Sequence, residues 1–286
     1  MSQWAGLPGS AGPWSGGQAS SWATCVLAPN AGPMTLDGTN TWVIAAPDQR
    51  DVVVIDPGPD DLAHWSQLER QLAATDQRVA QILLTHGHLD HSAGAQLFAD
   101  QTGSSVRALD PKHCLGSEGL VAGEAVVVGD IEMMVIPTPG HTADSLSFLL
   151  AADHSVLTGD TILGRGTTVV AHPDGVLADY LNSLERLGEA AIEYGLETVL
   201  PGHGPALRDP AEVVQAYLSH RHERLSQVAG SWRRLREESN GQVSPDSEET
   251  AWAVVRDVYA DVPQTVWPAA LLSVRAQLAY LRDRTD

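Results

Sequence analysis

Cysteine, lysine and long apolar runs are the scarce features of this sequence. Only Cys25 and Cys114 occur in 286 residues, too few for a disulfide framework, so a reducing compartment is the simplest address and the cytoplasm is expected. Lysine occurs once, as Lys112, and 17 Lys plus Arg stand against 36 Asp plus Glu, a formal net charge of -19. Such a surface works against long-range attraction to nucleic acid or anionic lipid. No apolar run approaches the ~20 residues that span a bilayer, so no membrane partner is expected. The opening MSQWAGLPGSAGPWSGGQASSW has neither the basic start nor the continuous apolar core of a secretory signal.

What is present is a globular, loop-rich pattern, with 43% hydrophobic residues, 26 Gly and 17 Pro. Short strand-like runs recur: TWVIAAP (41–47), DVVVIDPGP (51–59), QILLTH (81–86), AVVVG (125–129), IEMMVIP (131–137), SLSFLL (145–150) and SVLTGD (155–160). Helical patterns over 61–75, 92–103 and 177–195 lie between them, which argues for sheets covered by helices. Beyond Pro210 strand signals stop. Residues 211–237 keep Val214, Leu218, Leu225, Val228, Trp232 and Leu235 near one helical face, and two more helices are expected near 248–260 and 268–283. The expected division is a Gly/Pro/Trp-rich segment at 1–25, an α/β domain at 26–209 and a helical region at 210–286.

Residues 85–94, THGHLDHSAG, crowd His86, His88, Asp90 and His91 just after an apolar run. Neutral imidazole and carboxylate suit borderline divalent ions such as zinc. A structural zinc site would be closed, often by thiolates; both cysteines lie elsewhere, so the pattern is that of an open, catalytic site. Three later stretches each set a ligand type beside glycine after a strand-like run: TPGHT with His141, LTGD with Asp160 and LPGHG with His203.

HGHLDH followed by those three motifs in order resembles the metallo-beta-lactamase fold superfamily over about residues 35–208. The resemblance implies an αββα sandwich with metals at one edge. It further implies one ion held by His86, His88 and His141, another by Asp90, His91 and His203, and Asp160 between them. Two divalent ions are thus implied, zinc by ligand preference, with iron or manganese compatible with the same donors. A metal-activated hydroxide would be the nucleophile, with Asp90 and Asp160 helping to accept the water proton. Asp56 matches the superfamily's first motif as a residue that orients a ligand from behind; on its residues alone it reads equally as a turn former before Pro57-Gly58.

Within the superfamily, GPMTLDGTNTWVI (32–44), GDTILGRGTTVVAHPDGVLADYLNSLERL (159–187), PGHGP and SHRHERLSQV (219–228) resemble the beta-lactamase-like protein 2 branch, whose animal members are single-strand-selective endoribonucleases. That implies RNA phosphodiesters as substrate and a winged-helix-like C-terminal region, although LLSVRAQLAYLRDRTD leaves little room for wing strands. A small thioester or ester, as in the glyoxalase II relatives, is the alternative partner, and a non-catalytic interaction module with a vestigial metal site the third reading. The sequence leaves the oligomeric state open. Residues 246–286 carry seven acidic against four basic side chains, so sequence-specific DNA reading is not expected. Arg221, Arg224, Arg233, Arg234 and Arg236 read either as one side of a phosphate groove or as a solvated helix face. Arg165, Thr167 and Thr168 are expected to border the substrate, with Asn40 and Thr41 on the opposite rim; His172 reads as a leaving-group acid or as a turn residue.

Overall fold

The computed structural model describes residues 12–284. Its strands form two sheets of six. The first runs in spatial order β1 (Gly17–Gln18), β2 (Ala23–Leu27), β3 (Asn40–Ile44), β4 (Asp51–Ile55), β5 (Arg78–Leu83) and β6 (Ser105–Arg107). Pairing is antiparallel up to β4 and parallel from β4 through β6. Parallel pairing needs crossovers, supplied by α1 (Leu62–Ala74) and by the single turn α2 (Leu89–Ser92) with α3 (Ala95–Thr102). The second sheet places β7 (Ala125–Val128), β8 (Ile131–Pro137), β9 (Leu146–Leu150), β10 (Ser155–Gly159), β11 (Thr198–Pro201) and β12 (Leu207–Arg208) side by side in chain order. Only β10 and β11 are parallel there, joined through α4 (Leu177–Glu193).

The strand DVVVI has no polar residue after Asp51 because both of its faces are covered. Val53 and Ile55 pack between the sheets with Trp42, Leu83, Met133, Val135, Phe148 and Leu157. Val52 and Val54 pack outward on Trp65, Leu68 and Leu72 of α1 and Phe98 of α3. In β10 the same alternation sends Leu157 inward and Val156 out to α4, whose Tyr180, Leu181, Leu184 and Leu187 cover the second sheet. Helix, sheet, sheet, helix is the resulting order of layers. Asp61 starts α1 by accepting the backbone N–H groups of Ala63 and His64.

Three helices complete the chain: α5 (Pro210–Glu238), α6 (Glu248–Val258) and α7 (Trp267–Arg282). The 29-residue α5 begins with proline at its first position, where no N–H is needed. Its first half packs Val213, Val214 and Tyr217 on α4, and its second half packs Val228 and Trp232 on Val254 and Val255 of α6 and Val274 and Leu278 of α7. The expected αββα sandwich with a helical C-terminal region is therefore present, and no strand follows Arg208 among the described residues. No described helix is long and apolar enough to cross a membrane.

Candidate metal centre

The strand ends β4, β5, β10 and β11, together with the β8–β9 connection, deliver the ligand-type residues to one edge of the sandwich. Asp56 follows β4 in the left-handed region, φ 53°, which aspartate tolerates better than most residues. Its carboxylate accepts hydrogen bonds from Thr85 N at 2.8 Å and Thr85 Oγ1 at 2.7 Å, and lies 2.9 Å from His91 Nδ1. Having donated to Asp56, the Thr85 hydroxyl accepts from His86 Nδ1 at 3.0 Å. His141 Nδ1 lies 2.8 Å from Val169 O and 3.0 Å from Thr168 Oγ1. His203 Nδ1 lies 3.2 Å from Gly38 O. In all four histidines Nδ1 faces an acceptor, so in the neutral form the proton sits on Nδ1 and Nε2 is the nitrogen offered to a metal.

Those Nε2 atoms converge. His86 Nε2 is 3.0 Å and His141 Nε2 3.1 Å from His88 Nδ1, and His91 Nε2 is 3.2 Å from His203 Nε2. Asp160 places Oδ1 3.4 Å from His91 Nε2, and Oδ2 3.4 Å from His203 Nε2 and 3.7 Å from His141 Nε2. Asp90 Oδ2 lies 3.2 Å from His203 Nε2. Three groups have donor atoms within 4.8 Å of one another: His86, His88 and His141; His86, His91 and Asp160; Asp90, His91 and His203. Ring nitrogens and carboxylates converging at these distances need positive charge between them, which a divalent cation supplies and which protons supply in its absence. Asp160 Oδ1, buried without a hydrogen-bond partner, fits the same group. Asp160 touches histidines of both outer trios. His88 is the exposed member, beside Leu89, which is 74% exposed, so the cluster opens to solvent there.

Electrostatics separates the two ends of the cluster. Burial holds His86 well below the ordinary histidine range, and burial likewise lowers His141. At the other end burial again opposes the charged form but loses to nearby carboxylates. Asp160 and Asp56 raise His91 well above its ordinary value, and Asp160 with Asp90 raises His203 to about 9. Asp160 itself is held well below the usual carboxylate range, His203 and His91 outweighing the cost of its burial. Two glycines make the packing feasible. A Cβ on Gly202 would stand 2.5 Å from Asp160 Oδ1, and one on Gly140, whose φ is 132°, would stand 2.3 Å from the Tyr180 backbone.

The structure brings together all seven ligand-type residues and Asp56, and it places the other candidates differently. Asn40 is fully buried: its Nδ2 donates to Pro201 O at 2.9 Å and Gly204 O at 2.8 Å, and its Oδ1 accepts from Trp14 Nε1 at 2.8 Å. It ties the two sheets together and has nothing left for a substrate. Thr41, also buried, donates to Asp56 O at 2.7 Å and faces His64 Nε2 at 2.8 Å. Both corrections arise because β3 lies inside the sheet, between β2 and β4, where their side chains face backbone and buried groups and not the rim. Arg165 pairs with Asp37 and donates to Gly12 O at 2.8 Å. Thr167 is half-buried, and Thr168 sits behind His141. His172 is exposed, outside the ligand cluster, and lines a cavity of about 240 Å³ between the start of α4 and the end of α7.

The arginine run on α5 divides: Arg221 and Arg224 turn inward, whereas Arg233, Arg234 and Arg236 lie on a solvated face. Arg221 is 8% exposed and turned into the fold, Arg224 stacks on Tyr259, Arg234 pairs with Asp257 and Arg236 stacks on Trp232; Arg233 is exposed. Thr85, which relays Asp56 to His86, is a residue behind the site that the sequence reading does not find, and Arg221, which it reads as a phosphate contact or a solvated side chain, instead reaches Thr168 O. Thr85 stands directly before HGH, and that adjacency was the available signal. Asp110, His113 and Asp144 also bring donor atoms within 4.8 Å of one another, but the Lys112 ammonium already lies 2.7 Å from Asp110.

Comparison with known proteins agrees with this geometry. The family described as the metallo-beta-lactamase superfamily matches residues 34–203, and the beta-lactamase associated winged helix domain matches 250–284. A beta-lactamase-like protein 2 homolog of Caenorhabditis elegans is 32% identical over 273 residues, covering 90% of this chain and 83% of the relative. An atrochrysone carboxyl ACP thioesterase of Aspergillus fumigatus is 30% identical over 247 residues, covering 84% and 74%. A metallo-beta-lactamase family protein of Thermus thermophilus shares the fold, with a TM-score of 0.70 at 20% identity over 92% of this chain and 94% of that one. With the sandwich, the converging histidines and aspartates, and these matches in hand, the chain belongs to the metallo-beta-lactamase superfamily.

Proposed function

We propose that this metal-dependent hydrolase cleaves small acyl thioesters or esters. His86, His88 and His141 would hold one divalent cation, Asp90, His91 and His203 a second, and Asp160 stands between them. When bound, such cations supply Lewis acidity toward a carbonyl oxygen and acidify water at neutral pH. The chain's own groups do the rest. Asp56 and Thr85 keep the lone pairs of His91 and His86 facing the centre. Asp90, whose side chain is 30% exposed while that of Asp160 is 10% exposed, is the carboxylate placed to take the water proton and pass it to solvent.

The observation that carries an acyl substrate over a polyanion is that most of the arginines read as phosphate contacts already have partners within the protein. Arg221 is buried, Arg165 is paired with Asp37 and Arg234 with Asp257. Leu89, exposed between His88 and Asp90, adds an apolar rim that suits an acyl chain better than a phosphate. A relative named as an acyl carrier protein thioesterase supports the same choice. Single-stranded RNA is the second reading, favoured by the beta-lactamase-like protein 2 match.

Purified protein assayed on acyl thioesters, esters and single-stranded RNA, each with and without chelator, separates these readings. The expected result is thioester or ester turnover that chelator abolishes and added zinc or manganese restores. RNA cleavage at low salt that exceeds acyl hydrolysis, and whose binding falls with a slope of about -0.7 per phosphate contact in log affinity against log salt, would overturn the acyl assignment.

A further inference from the structure

Arg221 lies on α5, outside the ligand set, and yet is buried at 8% exposure. Burying a guanidinium is costly unless its donors are used, and the partners here are neutral. Nη2 donates to Thr168 O at 2.6 Å, and Cζ sits 4.8 Å over the Tyr180 ring. Hydrophobic packing of α5 on α4 is already achieved by Val213, Val214 and Tyr217, so packing alone gives no reason for a charge at this place.

Both partners lead to the metal centre. Thr168 Oγ1 is 3.0 Å and the neighbouring Val169 O is 2.8 Å from His141 Nδ1, so the backbone that Arg221 grips sets the tautomer and aim of His141. The Tyr180 hydroxyl donates to Thr161 O at 2.7 Å, one residue past Asp160, and the Tyr180 backbone packs on Gly140, one residue before His141. One turn earlier on α5, the Tyr217 hydroxyl accepts from Leu163 N at 2.9 Å and lies 2.8 Å from Gly166 O. The segment from Thr161 to Val169 is thereby fastened to α5 at several points. A lysine in place of Arg221 would have no planar fork to reach a carbonyl and cover an aromatic face together.

We propose that Arg221 is a positioning residue for the metal centre: by gripping Thr168 and Tyr180 it fixes His141 and Asp160, and so couples the C-terminal helices to metal binding. This rests on the reading of His141 and Asp160 as metal ligands. The test uses the full chain with Arg221→Met, Arg221→Lys, Thr168→Val and the Arg221→Met/Thr168→Val pair. Zinc affinity is read by competition with a chromophoric chelator, and the ligand field by visible absorption of the cobalt-loaded protein.

Arg221→Met is expected to retain native circular dichroism, to lose about tenfold in affinity for one of the ions and to alter the cobalt spectrum. Arg221→Lys should recover part of the loss, and the double variant should lose less than the two single losses combined, because both act on His141. Should Arg221→Met not fold, Arg221→Lys carries the same test. Wild-type affinity and spectrum in the Arg221 variants overturn the inference alone. Wild-type protein that takes up no zinc or cobalt overturns it together with the metal-site reading beneath it.

Discussion

Asp56 orders two of the cluster's histidines at once, although its side chain faces the cluster from behind. One oxygen accepts from the Thr85 backbone, and the other faces both the Thr85 hydroxyl and His91 Nδ1. Replacing it by Asn keeps the shape but must turn an amide N–H toward one of these donors, since every contact of the carboxylate is an acceptor contact. Two tautomers then come loose, that of His91 directly and that of His86 through Thr85. Asp56→Asn is expected to lower metal affinity roughly 10- to 100-fold, as outer-shell changes do, with a parallel loss of turnover in protein that still folds. Metal analysis after dialysis against limiting chelator measures it. Full occupancy with wild-type turnover would show that the carboxylate serves only the turn before Pro57.

Among the elements, α1 carries a titratable group away from the metal centre. His64 is fully buried, and its Nε2 lies 2.8 Å from Thr41 Oγ1, while Nδ1 is buried without a hydrogen-bond partner. Burial lowers its pKa to about 4, with Asp61 only partly opposing. The unfolded chain, titrating near 6.5, takes up this proton first. Stability from this group is therefore intact above about pH 6.5 and declines as the pH falls toward about 4, by on the order of 3 kcal/mol over the window. Urea unfolding of wild type and His64→Gln at pH 7.5 and 4.5 isolates the effect, because other groups titrate alike in both. The wild type should lose more stability across that interval; equal losses would mean that His64 is protonated in the folded state.

Elements also mark what could be read from sequence. The strands β3, β4, β5, β7, β8, β9 and β10 and the helices α1, α3, α4, α5, α6 and α7 stood out because apolar periodicity or an unbroken apolar run survives in each. The strands β1, β2, β6, β11 and β12 did not: ATCVL is mixed, and GQ, SVR, TVLP and LR are short and lack the unbroken apolar run that marks the equally short AVVV of β7. The ligands were legible because histidine and aspartate beside glycine at strand ends carry their chemistry in their identity. Asn40, Thr41 and Arg221 were misplaced for the opposite reason. Polar identity suggests exposure, and only the tertiary partners, Pro201 and Gly204 for Asn40 or Thr168 and Tyr180 for Arg221, show that each is spent on holding backbone.

At the scale of the whole molecule the cluster joins the two sheets. His86, His88, Asp90 and His91 come from the end of β5 in the first, and His141, Asp160 and His203 from the second. The sheets are also stitched at this edge without metal, by Leu146 N to Thr85 O at 2.7 Å and Trp42 Nε1 to Pro201 O at 2.9 Å, and the core between them is continuous. Chelated protein should therefore remain folded and unfold cooperatively. Zinc at about 100 times its Kd should add roughly 2.7 kcal/mol by binding the native state, which at ~2–4 °C per kcal/mol for a domain of this size is a rise in Tm of about 5–10 °C. With a formal net charge of -19, any cation also relieves self-repulsion, so the comparison needs equal magnesium in the reference. A Tm unmoved by zinc beyond that reference would mean that the native cluster holds no cation, and loss of cooperative unfolding on chelation would make the metal a structural one.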